Sequence, residues 1–359
     1  MTSTVSRTAA STIDETTTPR AASLSPAIAK AAAHAAKTTT PLSDTTARRL
    51  AVIRIWDAMF RGARRHVEDL GFIGVHNMPE IVGVTGACEN VDTLFKVDFF
   101  GKPAYLAQSD QLYLELLAPH LGAVYAEMQS FRMEPEADDR HLAQFALFEL
   151  EHLGTLDELI VNIAGTVQAA AREVASRCAD DLALFGRSAE DITNLAFGRI
   201  TYTSAIELLQ SEFPYLAWGD DLVAEHEAAL TRELGPCFVT HYPLPIKFFN
   251  MKQNDDDPRV VNSTDLLLPG AGESAGAAER EHKHERIVAR LKSSSMYRRL
   301  IELGASDDDF AWYLDAHKGV EVPLHSGAGI GMARVAQFIL GVDDIREAVP
   351  FLINKDNLL

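Results

Sequence analysis

The chain has 359 residues, room for one large domain or two modest ones, and 47% of them are hydrophobic, so a sizeable core is within reach. Asp and Glu number 51 against 33 Lys and Arg, a net charge of −18, and so acidic a surface argues against broad nucleic-acid binding. Cys88, Cys178 and Cys237 are scattered without paired spacing, which fits a reducing, cytoplasmic setting and no zinc site. No apolar run is long enough to span a bilayer, so no membrane partner is expected.

Residues 1–44 are rich in Thr, Ala and Ser and are expected to form a disordered tail, with a transient helix around 27–33. Ser43-Asp44 can cap a helix over 45–70, with Leu50, Ile53, Trp56, Ala58 and Met59 as its apolar stripe. Gly71 ends it, and 71–79 reads as a strand closing on Pro79. Residues 94–106 alternate as a hairpin about a Gly101-Lys102-Pro103 turn, and a strand then enters a helix near Gln111.

Residues 131–151 read as strand, polar loop, strand. On the first arm Arg132 and Glu134 share a face. On the second, Phe145, Leu147, Glu149 and Glu151 share one face, and Ala146, Phe148 and Leu150 form an apolar face suited to a core. Thr155 with Glu158 marks a capping box opening a helix over 153–184. Residues 198–235 look like a helical excursion without a motif. Strands are expected again at 237–243 and 246–252, with 260–268 pairing back across the Asp-rich turn at 254–257. His282 and His284 are two apart in an expected helix, so they point to different faces and make a poor metal pair. The glycine-rich run 327–334 fails as a dinucleotide loop, because Met332 takes the third glycine's place.

Several of these segments, in order, resemble the signatures of class II aminoacyl-tRNA synthetases, nearest to the asparaginyl branch and next to the aspartyl one. The helix and strand of 45–79 resemble the first signature, which implies a homodimer formed through that segment. Phe131-Arg132-Met133-Glu134 with Arg140-His141-Leu142-Ala143-Gln144-Phe145 resembles the second. Gly327-Ala328-Gly329-Ile330-Gly331-Met332-Ala333-Arg334 resembles the third. The likeness covers about residues 46–355 and implies an α+β fold, a mainly antiparallel sheet flanked by helices, as a catalytic domain over 45–359.

The resemblance also implies roles. Arg132 would hold the α-phosphate of ATP, Glu134 the adenine end, Arg140, His141 and Arg334 the γ-phosphate, and Phe145 would stack on adenine, with Gly329 and Gly331 giving close approach. Arg132, Arg334 and Glu273 would be the catalytic groups, and Asp265 with Glu273 would face Mg2+. Gln108, Gln111, Glu149, Arg280 and His317 would line the amino-acid pocket. Guanidiniums suit this chemistry, because they grip phosphate oxygens bidentately while charge accumulates on them.

The chain departs from the family at several points. Leu114 stands where aspartyl enzymes place a lysine, His317 replaces an arginine, and Ala333 replaces an acidic residue. The loop between Glu134 and Arg140 is acidic where tRNA enzymes are basic, and the tail stands where they carry an anticodon-binding barrel. The chain thus resembles a free-standing asparaginyl-tRNA synthetase paralogue of the asparagine-synthetase-related type. The expected function is an AMP-forming ligase that activates aspartate or a related amino acid with Mg·ATP and passes it to ammonia or a small amine, not to tRNA. Two alternatives stand beside it. One is an asparaginyl-synthetase-like enzyme that activates asparagine, for aminoacylation or at the side-chain amide towards a nitrile. The other is a non-catalytic binding paralogue.

Overall fold

The computed structural model describes residues 25–28, 30, 44–83 and 91–358. Most of the expected tail, the Ser43 cap and Cys88 fall outside them. Contacts divide the chain at Ala47–Arg48, and Arg48–Leu359 is the folded body.

Helix α1 (Asp44–Asp69) opens the fold. Ala51, Val52, Ile55, Ala58, Met59, Ala63 and Val67 recur at helical spacing and are buried. Leu50 and Ile53 are instead 37% and 41% exposed, which moves the apolar stripe off two of its expected members. Strands β1 (Ile73–Gly74), β2 (Ile81–Val82), β3 (Lys96–Phe99) and β4 (Lys102–Leu106) follow. The β3–β4 turn is Phe100-Gly101, with φ of 54° and 81°, one residue earlier than expected. Two positive φ values in a two-residue loop match the right-handed twist of the flanking strands.

Helix α2 (Gln111–Leu121) leads into β5 (Ala123–Phe131) and β6 (Gln144–Leu153). The first arm of the expected strand pair therefore stops at Phe131, and Arg132 and Glu134 lie in the connecting loop. Pro135 cannot donate to a ladder, and Asp138 folds the loop by accepting the Arg140 and His141 backbone N–H groups at 2.9 and 2.8 Å.

Helix α3 (Leu156–Arg177) starts at the expected box: Thr155 accepts from the Glu158 N–H, and Glu158 accepts from that of Thr155. Short helices α4 (Ala179–Ala183) and α5 (Glu190–Thr193) precede the excursion. The excursion consists of β7 (Gly198–Thr201), α6 (Tyr202–Leu209) and α7 (Ala224–Leu234), a strand more than expected. Strands β8 (Cys237–Thr240), β9 (Ser263–Leu268) and β10 (Gly272–Glu279) come next. No strand forms over 246–252. Met251 makes only an isolated bridge to Arg280, residues 260–262 bond back to 252–254 across the Asp-rich turn as expected, and β9 pairs with β8 and β10. Helix α8 (His284–Ser293) begins at His284, so His282 sits in the segment before it rather than on its surface. Then come α9 (Ser295–Glu302), α10 (Ala311–Ala316), β11 (His325–Gly331) and α11 (Met332–Leu340).

Eight strands form one sheet in the order β1-β5-β6-β11-β10-β9-β8-β7, antiparallel except where β1 meets β5 and β7 meets β8 at the two edges. One face is packed by α1, α3 and α11 around Phe148, Leu150, Ala277, Ala328 and Leu266, as the alternation of β6 leads one to expect. Leu147 and Leu267, on the other face, join two separate clusters. The cleft opens on that other face. No helix among the described residues is long and apolar enough to cross a membrane.

Candidate active site

Sheet register makes the floor. Glu149 lies opposite Gly329, Gly329 opposite Gly276, and Gly276 opposite Asp265, a row across four strands. Two adjacent glycines leave a strip of bare backbone between two carboxylates, so a ligand can lie directly on the sheet. Next to it, Gly327 lies opposite Glu151, and a β-carbon there would overlap the Glu151 carboxylate. Over this floor is a cleft of about 330 Å³. Its lining takes in Gln108, Gln111, Arg132, Glu134, Arg140, His141, Phe145, Glu149, Asp265, Glu273, Arg280, Gly329, Gly331 and Arg334.

Of the expected site residues, His317 alone is not among the lining. It lies in a second cleft with His282, Lys283 and His284, and its Nδ1–H donates to the Tyr313 carbonyl at 2.9 Å. Its side chain is shorter than an arginine's, and this bond turns the ring onto its own helix.

At one end of the cleft the guanidinium of Arg132 lies 5.3 Å from the Phe145 ring centre, and its Nε is buried without a partner among the described residues. Arg334 donates to the Ala271 carbonyl at 2.6 Å and to that of Arg140 at 3.4 Å, and burial pulls its pKa below the usual value. Arg140 pairs with Glu227 at 3.0 Å. His141 pairs with Asp138 at 2.8 Å.

Asp265 and Glu273 converge over Gly276. A methyl built there would sit 3.4 Å from Glu273 Oε1 and 3.7 Å from Asp265 Oδ1, while Lys247 Nζ is 2.9 Å from Asp265 Oδ2. Among the described residues no three His, Cys, Asp or Glu side chains gather as a metal cage. Magnesium asks for less, one or two carboxylates completed by phosphate oxygens and water, and these oxygens fit it.

At the other end Arg280 is fully enclosed. Its guanidinium meets Glu151 at 3.0 Å and Glu115 at 3.4 Å. Glu115 also accepts from Tyr313 Oη at 2.6 Å, from Gln111 Nε2 at 3.0 Å and from Asn250. Burial pushes the Glu151 carboxyl above its usual range, with Arg280 opposing the rise and the charge of Glu115 adding to it. Burial also raises Glu149 to about 7, against hydrogen bonds from Ser109 Oγ at 2.5 Å and the Asp110 N–H at 2.8 Å. One arginine is thus spent on two internal carboxylates.

Glu115, Ser109 and Tyr313 stand inside stretches that carry the resemblance, so their neighbourhood was a signal. Lys247, Asn250 and Glu227 had none. Lys247 and Asn250 reach the site on the segment between β8 and β9, and Glu227 on the excursion, which no local pattern ties to the cleft.

Asp110 gives a stability prediction. It is 1% exposed, neither carboxylate oxygen has a hydrogen-bond partner among the described residues, and burial raises its pKa from 3.8 to about 8, with Glu149 and Glu80 adding. A raised carboxyl costs stability progressively from about pH 4, and the loss levels off above about pH 8. Asp110→Asn should therefore raise Tm by about 2 °C or more at pH 8.5, with little change at pH 4. Scanning calorimetry at both pH values checks it, and an equal shift at both would contradict it.

A mainly antiparallel sheet with helices on one face and an arginine-lined cleft on the other defines the class as a class II synthetase catalytic domain. The chain belongs to the family described as tRNA synthetases class II (D, K and N), which matches residues 40–355. It is 37% identical over 312 residues to the asparagine–tRNA ligase of Pyrococcus abyssi, covering 84% of this chain and 68% of that one. The Microcystis aeruginosa asparagine–tRNA ligase is 37% identical over 330 residues, with coverage of 84% and 69%. Among solved structures, asparaginyl-tRNA synthetase from Pyrococcus horikoshii complexed with asparaginyl-adenylate superposes with a TM-score of 0.78 at 34% identity, over 87% of this chain and 70% of that one. The Entamoeba histolytica asparaginyl-tRNA synthetase with asparaginyl-adenylate gives 0.73 at 27%, over 86% and 68%. The chain is asparaginyl-tRNA-synthetase-like. This favours the asparaginyl alternative over the expected aspartate–ammonia ligase, and it sets relatives named for tRNA against the expectation that tRNA is not a partner.

Proposed function

We propose that this chain activates asparagine with Mg·ATP, forming asparaginyl-adenylate and pyrophosphate. The observation that carries this reading is the commitment of Arg280 to Glu151 and Glu115. A substrate carboxylate entering there would be desolvated with no counter-charge left for it, which is costly. A neutral amide brings one acceptor for Arg280 and two donors for the surrounding glutamate oxygens.

With the amide so held, the α-carboxylate extends along the glycine strip towards Arg132. Adenine stacks on Phe145, with Glu134 at its edge. One α-carboxylate oxygen attacks the α-phosphorus, an acyl–phosphate bond forms, and the bond to the β-phosphate oxygen breaks. Arg132 draws charge from the α-phosphate oxygens, while Arg140, His141 and Arg334 take the departing pyrophosphate. Magnesium, held by Asp265 and Glu273, would neutralise the phosphate oxygens during this step.

The test is pyrophosphate release and AMP formation with Mg·ATP and either asparagine or aspartate. Turnover with asparagine and little with aspartate is the expected result. Turnover with aspartate plus ammonium, and none with asparagine, would overturn it. The acceptor is read in the same assay by adding total tRNA. The relatives' names support tRNA, and the acidic loop at 135–139 weighs against it through repulsion of the phosphate backbone. Leu50, Ile53 and Ile73, all more than a third exposed, support a homodimer through α1 and β1. Sedimentation at micromolar protein is expected to give twice the chain mass.

A further inference from the structure

The excursion sends one side chain against the arginine end of the cleft. Glu227, on α7, is 6% exposed. Its Oε2 accepts from Arg140 Nη2 at 3.0 Å and from the Glu273 backbone N–H at 3.3 Å. The meeting point lies over Gly272, where φ is +72° and the position is side-chain-free. A β-carbon there would collide with the Glu227 carboxylate and stand 3.0 Å from Arg140 Nη2 and 3.1 Å from Arg334 Nη1. Two guanidiniums and one carboxylate thus converge on one glycine.

Arg334 is largely enclosed and bonds only carbonyl oxygens among the described residues. Arg140 has no other carboxylate partner among them. Two cations this close, in a site of lowered dielectric, need an anion nearby. When ATP is absent that anion is Glu227. When the terminal phosphates arrive they need the same donors, and three anions cannot share two guanidiniums on equal terms. The surroundings make Glu227 the weaker claimant: its carboxylate is buried against the Glu273 backbone, beside the second carboxylate that this residue carries.

We propose that Glu227 is a displaceable counter-ion of the phosphate site, which holds Arg140 and Arg334 in the empty enzyme, yields them to the β- and γ-phosphates, and reclaims them as pyrophosphate leaves. It is a positioning residue that acts through the arginines. The inference rests on the cleft being a nucleotide site but not on which amino acid is activated. It gives the excursion a task, setting how tightly pyrophosphate is retained.

The test is calorimetric titration of the full chain with inorganic pyrophosphate at fixed magnesium and no amino acid. Glu227→Gln keeps the shape and an acceptor oxygen for Arg140 and the Glu273 N–H, but removes the charge. It should bind pyrophosphate about tenfold or more tighter than the wild type, because the competing anion is gone. Glu227→Asp, which keeps the charge on a shorter arm, should fall between them. It serves as the test if the glutamine variant does not fold, as judged by its melting transition. A residue that merely braces the arginines would give equal or weaker binding in Glu227→Gln, and that result overturns the proposal while leaving the nucleotide site intact. No pyrophosphate binding by any of the proteins would overturn the nucleotide site itself.

Discussion

Arg132→Ala is expected to lower AMP formation by about a thousandfold or more, with the fold intact. Among the described residues Arg132 is the guanidinium in the cleft that the protein leaves least engaged: its Nε is buried without a partner and its guanidinium lies near the Phe145 ring. A buried donor without a partner is costly in the empty protein, and a phosphate oxygen satisfies it. Its backbone N–H, bonded to the Ala143 carbonyl at 2.9 Å, fixes where the side chain starts, and alanine keeps that bond. Loss of activity without a fall in melting temperature therefore reads out the guanidinium alone. Arg132→Lys should recover little, since an ammonium cannot grip two oxygens in one plane. Pyrophosphate release with asparagine measures both variants, and activity within tenfold of wild type would remove Arg132 from the site.

The second large effect concerns the choice between asparagine and aspartate. The wild type should prefer asparagine by about a hundredfold or more in kcat/KM, the scale of one uncompensated charge about 5 Å away in a partly buried site. The double variant Glu115→Gln/Glu151→Gln frees the charge of Arg280 while holding the pocket's volume. Aspartate should then gain by about tenfold or more, and the preference should collapse. Changing Arg280 itself is the poorer probe, because two enclosed carboxylates would lose their partner and the fold would suffer. A double variant that folds, retains asparagine activity and still rejects aspartate would show that Arg280 does not set the choice.

Two of the local patterns that the sequence displays became local structure. The alternation of β6 sends Phe148 and Leu150 to the core and Phe145, Leu147 and Glu149 to the cleft, because side chains alternate across a strand whatever it pairs with. The Thr155–Glu158 box starts α3 for a similar reason, since both partners lie within one turn. The motif order, carried by the resemblance, fixed the class II fold and brought Arg132, Arg140 and Arg334 to one cleft.

The sequence by itself thus determined the sheet-and-helix plan, the core face of β6, and most of the residues gathered in the cleft. Tertiary structure alone decided the rest. Whether Arg280 is available to a substrate depends on Glu115 from α2 and Glu151 from β6, distant in the chain and brought together only when the sheet closes. Glu227 reaches Arg140 across 87 residues. His317 left the expected pocket because an intrahelical carbonyl holds its ring. A charge's partner is set by a distance in space, and that distance has no local signature in the chain.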